Sequence, residues 1–357
     1  MGGMTRQMRV FEAYDGTSTV PVDLAGFWRC RLGTATPLAP DAVRREPAGF
    51  DTPVATYERL TFAAADGAEL HARYVCPRGA GGADRGSAGA DAPRVPTVVM
   101  THDVTCGPRG WHHLTRFAAI GNAVVELERR PWSGDVCAGW ERGPAALQMT
   151  RLIRDMALAA QAAASLPRTD VARLSAWGEG LAGALAIDAA AALDACDGAV
   201  RLRRVAALNP MPADVRATWE AGGSRLVYAG VRDHFRVEDP TAAQAAALFS
   251  ALDYVDAANM ATLLRGSLLL GTSLMDDAAL PQSQYAVFNR APGEKRHLTY
   301  PKWGHERVND FEDALMAYLV APWDACSGGD RGGGEPGGGG GESRGGGTCG
   351  GTAGGIG

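Results

Sequence analysis

Arg173-Leu-Ser-Ala-Trp-Gly-Glu-Gly-Leu-Ala-Gly-Ala-Leu-Ala-Ile187 is the stretch that decides the fold. It starts as a short apolar run, passes through a glycine-dense turn at Gly178-Glu179-Gly180, and continues at once as an alanine-rich helix. Small residues at such a turn let the backbone of the incoming strand pass close to the helix that follows. On its own this signal is weak, because many α/β folds contain a glycine-rich turn between a strand and a helix.

The segments around it supply the context. Tyr57 to Phe62 and Glu69 to Val75 read as paired strands about the turn Asp66-Gly67. Further apolar runs follow at 97–101, 123–127, 173–177, 204–208, 267–271 and 296–299, and amphipathic stretches separate most of them. The clearest is Pro144 to Leu166, where Met149, Ile153, Met156, Ala160 and Ala163 step by four and three along one helical face. Pro144 lies near its first position and Pro167 ends it. Strand and helix in alternation predict an α/β fold, with a mostly parallel central sheet covered by helices on both faces. The opening hairpin adds an antiparallel N-terminal edge. The domains expected are an N-terminal extension over 1–20, one α/β domain over 21–323, and a disordered Gly-rich tail over 324–357. A Gly/Ala/Asp-rich surface loop is expected from Gly79 to Pro93.

Three strand ends carry chemistry. The run from Arg173 ends in Gly178-Glu179-Gly180-Leu181-Ala182, the run from Leu268 ends in Leu274-Met-Asp276, and Tyr300-Pro-Lys-Trp-Gly-His-Glu306 sets a histidine just past another strand. In the α/β-hydrolase fold the strand-to-helix turn is the nucleophile elbow, G-x-S-x-G, and the order along the chain is nucleophile, acid, histidine. Positions 180, 276 and 305 follow that order, with glycine in place of the serine. Upstream, Val98-Val-Met-Thr-His-Asp-Val104 ends a strand where the fold supplies a second oxyanion N–H. Backbone donors are therefore expected at Val104 and Leu181.

The chain closely resembles carbohydrate esterase family 7, the acetylxylan esterases and cephalosporin-C deacetylases. The likeness runs from Asp23-Leu-Ala-Gly-Phe-Trp28 to His305. It includes Tyr57-Glu-Arg-Leu-Thr-Phe62, Ala163-Ala-Ser-Leu-Pro-Arg-Thr-Asp-Val-Ala-Arg173 and Tyr254-Val-Asp-Ala-Ala-Asn259, with Asp276 and His305 in the acid and histidine motifs. The resemblance implies deacetylation of small esters of sugars and antibiotics, no metal or organic cofactor, and a cytoplasmic homo-oligomer. Three motifs depart from it. The family's serine and the glutamine after it are Gly180 and Leu181 here, its histidine-glycine-tyrosine segment is His102-Asp103-Val104, and its arginine-glycine-glutamine segment is Arg130-Pro131-Trp132. Asp103, Arg130, Trp132 and Glu179 are thus expected to line the pocket.

Acyl transfer in this fold needs a hydroxyl, a histidine to take its proton, and a carboxylate to orient that histidine. Gly180 cannot form an acyl-enzyme, and an ionised Asp103 beside a developing oxyanion opposes its stabilisation. Glycine also relaxes an elbow that otherwise stores roughly 1–3 kcal/mol of backbone strain. An Asp276–His305 hydrogen bond can equally well be structural, holding two loops together. Cys106 is a weak substitute nucleophile, Ser175 is expected to point into the sheet packing, and Glu179 to be solvated or structural. His112 and His113 begin a helix on the pocket side, and Trp111 and Trp132 are expected to pack or to wall the pocket.

The whole chain excludes other classes. Its 357 residues carry a net charge of -5 with no Lys/Arg cluster, so nucleic acid is not an expected partner. No stretch is apolar and long enough to span a bilayer, so no membrane partner is expected. Cysteines 30, 76, 106, 137, 196, 326 and 349 lack metal-ligand spacing and read as reduced thiols of a cytoplasmic protein. Three functions remain: a degenerate esterase-like protein binding a small-molecule ligand or a partner, an enzyme using His305 and Asp276 for acid–base chemistry on a non-ester substrate, and a hydrolase in which His305 activates water or a non-standard nucleophile attacks the ester.

Overall fold

Valine, leucine and alanine runs that are buried on both sides cannot sit at a sheet surface, and here they fill the middle of a nine-stranded sheet. The computed structural model describes residues 8–79, 93–223 and 225–323; residues 80–92 of the loop expected from Gly79 to Pro93, and the Gly-rich tail from 324, lie outside them. The strands are β1 Arg44–Pro47, β2 Ala55–Ala63, β3 Glu69–Pro77, β4 Val95–Met100, β5 Ala123–Glu128, β6 Thr169–Glu179, β7 Arg204–Leu208, β8 Ser267–Ser273 and β9 Lys295–Tyr300. Their order is β1-β2-β3-β5-β4-β6-β7-β8-β9. The first three strands pair antiparallel, β3 meets β5 antiparallel, and every pairing from β5 through β4 to β9 is parallel.

Residues of β7 and β8 are buried throughout, whereas β2 alternates between buried and more open positions. Alternate residues of one strand feed two separate cores, because successive side chains leave opposite faces of a sheet. Val98, Val124, Ala206 and Leu269 join Phe117, Trp177, Phe311 and Leu315 on one face. Val99, Val125, Val205 and Leu268 join Trp28, Ile153, Met156 and Ile187 on the other.

Among the described residues the helices of eight residues or more are α1 Leu24–Leu32, α2 Trp111–Ala119, α3 Gln148–Ser165, α4 Leu181–Asp194, α5 Ala245–Leu252, α6 Pro281–Arg290 and α7 Asn309–Val320. All residues of α4 are buried, the expected state of a helix apolar on all sides. Among the described residues no helix is long and apolar enough to cross a membrane.

Three local differences from the sequence reading have physical causes. The helix expected from Pro144 is broken: Pro144–Ala146 forms a short 3-10 turn, Leu147 takes ψ 137°, and α3 starts at Gln148, whose N–H donates to Ala138 O. Strand β1 (Arg-Arg-Glu-Pro) is exposed along its length and has no apolar pattern to betray it; charge and proline suit a sheet edge. Residues Tyr14 to Ser18, read as part of an extension, are tied to the domain. Tyr14 Oη donates to Asp214, the Ser18 N–H donates to Asp214 Oδ1 at 3.0 Å, and Arg290 Nη2 donates to Ser18 O at 3.0 Å.

Candidate active site

The parallel strands all point their C-terminal ends at one rim, which is where an open α/β sheet presents its ligand crevice. Residues following β4, β6, β7, β8 and β9 meet there, and each is held by a specific local device.

The turn between β6 and α4 comes first. Gly180 has φ 56° and ψ -123°, in the region that side chains avoid. Its N–H donates to Leu208 O at 2.9 Å and its carbonyl accepts the Met211 N–H at 3.1 Å, so the end of β7 and the residues just after it hold the turn from both sides. Gly178, two residues earlier, is required by contact: a Cβ there would stand 2.1 Å from the Ala182 backbone.

The β4 loop comes second. The Thr101 hydroxyl donates to Leu127 O at 2.8 Å, and His102 Nδ1 lies 2.8 Å from Cys106 O, which folds the loop back on itself. That fold aims the Asp103 carboxylate at Gly180. Asp103 Oδ1 accepts the Leu181 N–H at 2.8 Å and Oδ2 accepts the Thr105 hydroxyl at 2.7 Å. A Cβ on Gly180 would fall 2.2 Å from Asp103 Oδ1.

Asp276 and His305 complete the arrangement. Asp276 Oδ1 accepts the N–H groups of Ala278 and Ala279 at 2.9 and 2.8 Å, leaving Oδ2 to accept from His305 Nδ1 at 2.8 Å. The other imidazole nitrogen, Nε2, lies 3.6 Å from Asp103 Oδ2. Asn209 braces the histidine loop: Oδ1 accepts the Ser273 N–H at 2.9 Å and Nδ2 donates to Gly304 O at 3.3 Å. The imidazole is therefore flanked by Asp276 on one nitrogen and Asp103 on the other.

Burial alone would make the imidazolium easier to deprotonate, but Asp103 and Asp276 outweigh it and push the His305 pKa up to about 9. Burial likewise raises the Asp103 carboxyl, yet His305, the Thr105 hydroxyl and the Leu181 N–H more than compensate and hold it below the ordinary carboxylate range. At neutral pH the group facing Gly180 is thus a carboxylate paired with an imidazolium. The two groups are 7% and 12% exposed, so water screens the pair weakly.

A cleft of about 120 Å³ opens over this pair. Its other charged walls are Glu179, Arg109, Glu306 and Arg307. Arg109 Nη2 donates to Glu179 Oε2 at 2.6 Å, Arg307 pairs with Glu312 at 3.1 Å, and Glu306 Oε1 accepts the Gly304 N–H at 3.1 Å. Cys106 also reaches the cleft, but burial raises its thiol above the usual value, which keeps it protonated.

Of the residues expected from sequence at the site, Gly180, Asp276, His305, Asp103, Glu179 and the Leu181 N–H come together. Val104 is half-buried against the core. Arg130 and Trp132 are placed elsewhere, a correction to the expectation that they line the pocket. Arg130 forms a two-pronged bond with Asp155 at 2.6 Å and a third contact with Asp66, lining a different cleft. Trp132 packs against the core with Arg129 over its ring at 5.7 Å. The neighbouring Arg129 is the one turned toward the β4 loop, with Nη2 3.5 Å from His102 Nδ1. Arg109, Asn209 and Arg307 were missed. Asn209 had a signal, since it directly follows a parallel strand; Arg109 and Arg307 had none that separates them from other arginines.

Nine strands in this order with helices on both faces form the α/β-hydrolase fold, and Asp276 and His305 stand on the loops after β8 and β9. The acetyl xylan esterase (AXE1) family model matches residues 5–321, and the chain belongs to that family. Among solved structures, the acetyl xylan esterase 1 of Thermoanaerobacterium sp. JW/SL YS485 superposes with a TM-score of 0.78 at 22% identity, covering 87% of this chain and 97% of that one. The acetyl xylan esterase of Paenibacillus sp. R4 gives 0.75 at 22% identity, with coverage of 87% and 98%. The Porphyromonas gingivalis dipeptidyl peptidase 4 gives 0.52 at 18% identity over 74% of this chain and 35% of its own. No curated protein sequence matches the chain.

Proposed function

We propose that Gly180 occupies the nucleophile position of a serine-type esterase, that this chain does not deacetylate esters by that route, and that its cleft binds a polar small molecule instead. The observation that carries this reading is the position of the Asp103 carboxylate, which fills the space beside Gly180 and faces His305. Three requirements of acyl transfer fail together. Position 180 has no hydroxyl to attack a carbonyl. The Leu181 N–H, the oxyanion donor on this reading, is already taken by Asp103; losing one such donor costs about 10²–10³ in rate. His305, held between two carboxylates, carries a proton at neutral pH and cannot accept another.

The cleft wall alternates carboxylate acceptors (Glu179, Glu306) with guanidinium donors (Arg109, Arg307). Such a lining suits a ligand rich in hydroxyl groups, and the name of the acetyl xylan esterase family points to a sugar. Calorimetric titration with xylo-oligosaccharides tests the binding half. Saturable binding weakened by Arg109→Ala supports it, and no heat at millimolar sugar counts against it.

A second reading draws on the same geometry. Asp103, unprotonated, and His305, protonated, stand 3.6 Å apart on one cleft as a base and an acid toward a bound ligand, each weakened for that task by the charge of the other. Hydrolysis by water that His305 activates would differ, because it needs neutral imidazole and would rise with pH through about 9. A pH–rate profile separates these chemistries.

A further inference from the structure

A second cleft, of about 80 Å³, lies between α1, α3 and the β2–β3 turn, apart from the site after the strand ends. Its charged walls are Arg31, Arg130, Arg151, Arg154, Asp66 and Asp155. Arg130 is fully engaged, with Asp155 on two nitrogens at 2.6 Å and Asp66 on the third at 2.8 Å. The other three guanidinium groups have no carboxylate at ion-pair distance among the described residues. Arg31 lies over the Phe27 ring at 5.0 Å, and its polar contact is Cys30 Sγ at 3.9 Å. The Nε atoms of Arg31 and Arg151 are buried with no hydrogen-bond partner.

Buried donors without partners cost free energy, and a positive concavity is out of keeping with a chain of net charge -5. Four arginines against two aspartates leave the walls at +2, the charge that a dianion cancels. Each guanidinium presents a fork of donors matched to the oxygens of a phosphoryl group, and three forks offer more donors than a single carboxylate can accept. α3 sets the spacing, because Arg151, Arg154 and Asp155 stand three and four residues apart on one face. Asp155 locks Arg130 as a wall while Arg151 and Arg154 remain free to take a ligand.

We propose that this cleft is a binding site for a dianionic phosphoryl group, free or carried on a small molecule, distinct from the Asp103–His305 site. The test is isothermal titration of the full chain with inorganic phosphate at constant ionic strength, with chloride as the reference anion. The expected result is saturable binding at one site, weakened at least tenfold by Arg151→Ala and by Arg154→Ala. Arg151→Lys, which keeps the charge and loses the fork, should weaken it less. Arg307→Ala, in the other cleft, should leave it unchanged. Absence of saturable binding in the native chain overturns the proposal. Binding that survives Arg151→Ala and Arg154→Ala, or that Arg307→Ala abolishes, overturns it as well. The lysine variant, with the native melting temperature as its control for folding, keeps the result interpretable if an alanine variant misfolds.

Discussion

The Asp103 carboxylate stands where a side chain on Gly180 would have to be: the nearest approach to an ideal Cβ is 2.2 Å, and the atom involved is also the acceptor of the Leu181 N–H. The two residues come from different loops, after β4 and at the end of β6, and each makes the other tenable. A serine in the turn would have to displace the Asp103 carboxylate, and without the aspartate the Leu181 N–H would lose its acceptor. This contact couples the turn between β6 and α4 to the loop after β4.

Gly180→Ser alone should not yield an esterase. The new Cβ meets Asp103, the Leu181 N–H that the proposed function assigns to the oxyanion stays bound to Asp103, and His305 stays protonated. The double variant Gly180→Ser with Asp103→Gly removes all three obstacles, and its hydrolysis of p-nitrophenyl acetate should exceed that of either single variant by at least about 10², the scale of one oxyanion donor. Equal rates in the single serine variant and the double variant would show that Asp103 is not the obstruction.

Gly180→Ala should destabilise the fold by about 2–5 kcal/mol, combining the left-handed φ with overpacking against Asp103. Part of that loss should return in the Asp103→Gly background, where the steric component is gone, and denaturant melts of the four species read the coupling. Strict additivity of the two substitutions would contradict the contact.

How much of this was visible in the sequence varies by residue. Gly178, Asp276 and His305 were legible because strand ends and their order along the chain are one-dimensional features. The central strands were legible because buried parallel strands read as continuous apolar runs. The sequence places Asp103 in the loop after β4, where a carboxylate would oppose a developing oxyanion. Its contact with the elbow was not readable, because it depends on the loop tied by His102 and Cys106 folding back over Gly180. Arg130 was misplaced because β5 ends at Glu128 and the two arginines that follow leave in different directions, Arg129 toward His102 and Arg130 toward Asp155. Sequence spacing does not choose between them.

The His305 imidazole should titrate near pH 9 in the native chain, against about 6.5 for an unperturbed histidine. Its folded value is raised, so its contribution to stability is full below pH 6.5 and is lost as pH rises through about 9. Proton-detected NMR of the ring follows the titration directly. Asp103→Asn should move the midpoint down, and a native midpoint near 6.5 would show that the two carboxylates do not hold the proton.

Glu126, on β5, is fully buried, with Oε1 accepting the backbone N–H of Arg109 at 3.0 Å and Oε2 unpartnered. Burial pushes its carboxyl up to about 7. A raised folded value makes its contribution full below about pH 4.5 and lost as pH rises through 7, where burying the charge becomes costly. Glu126→Gln should therefore be near neutral at pH 5 and stabilising by roughly 1–3 kcal/mol at pH 8.5. Urea melts at the two pH values check this, and a variant less stable at pH 8.5 than at pH 5, relative to the native chain, would reverse the sign.

The most direct measurement is the hydrolysis of p-nitrophenyl acetate at pH 7.5 by the native chain beside its His305→Ala variant. The expected result is two equal rates, both at the level of a protein surface without a nucleophile. A native rate in the range of serine esterases, abolished by His305→Ala, would contradict the claim that the Asp103–Gly180 arrangement has closed this site to ester deacetylation.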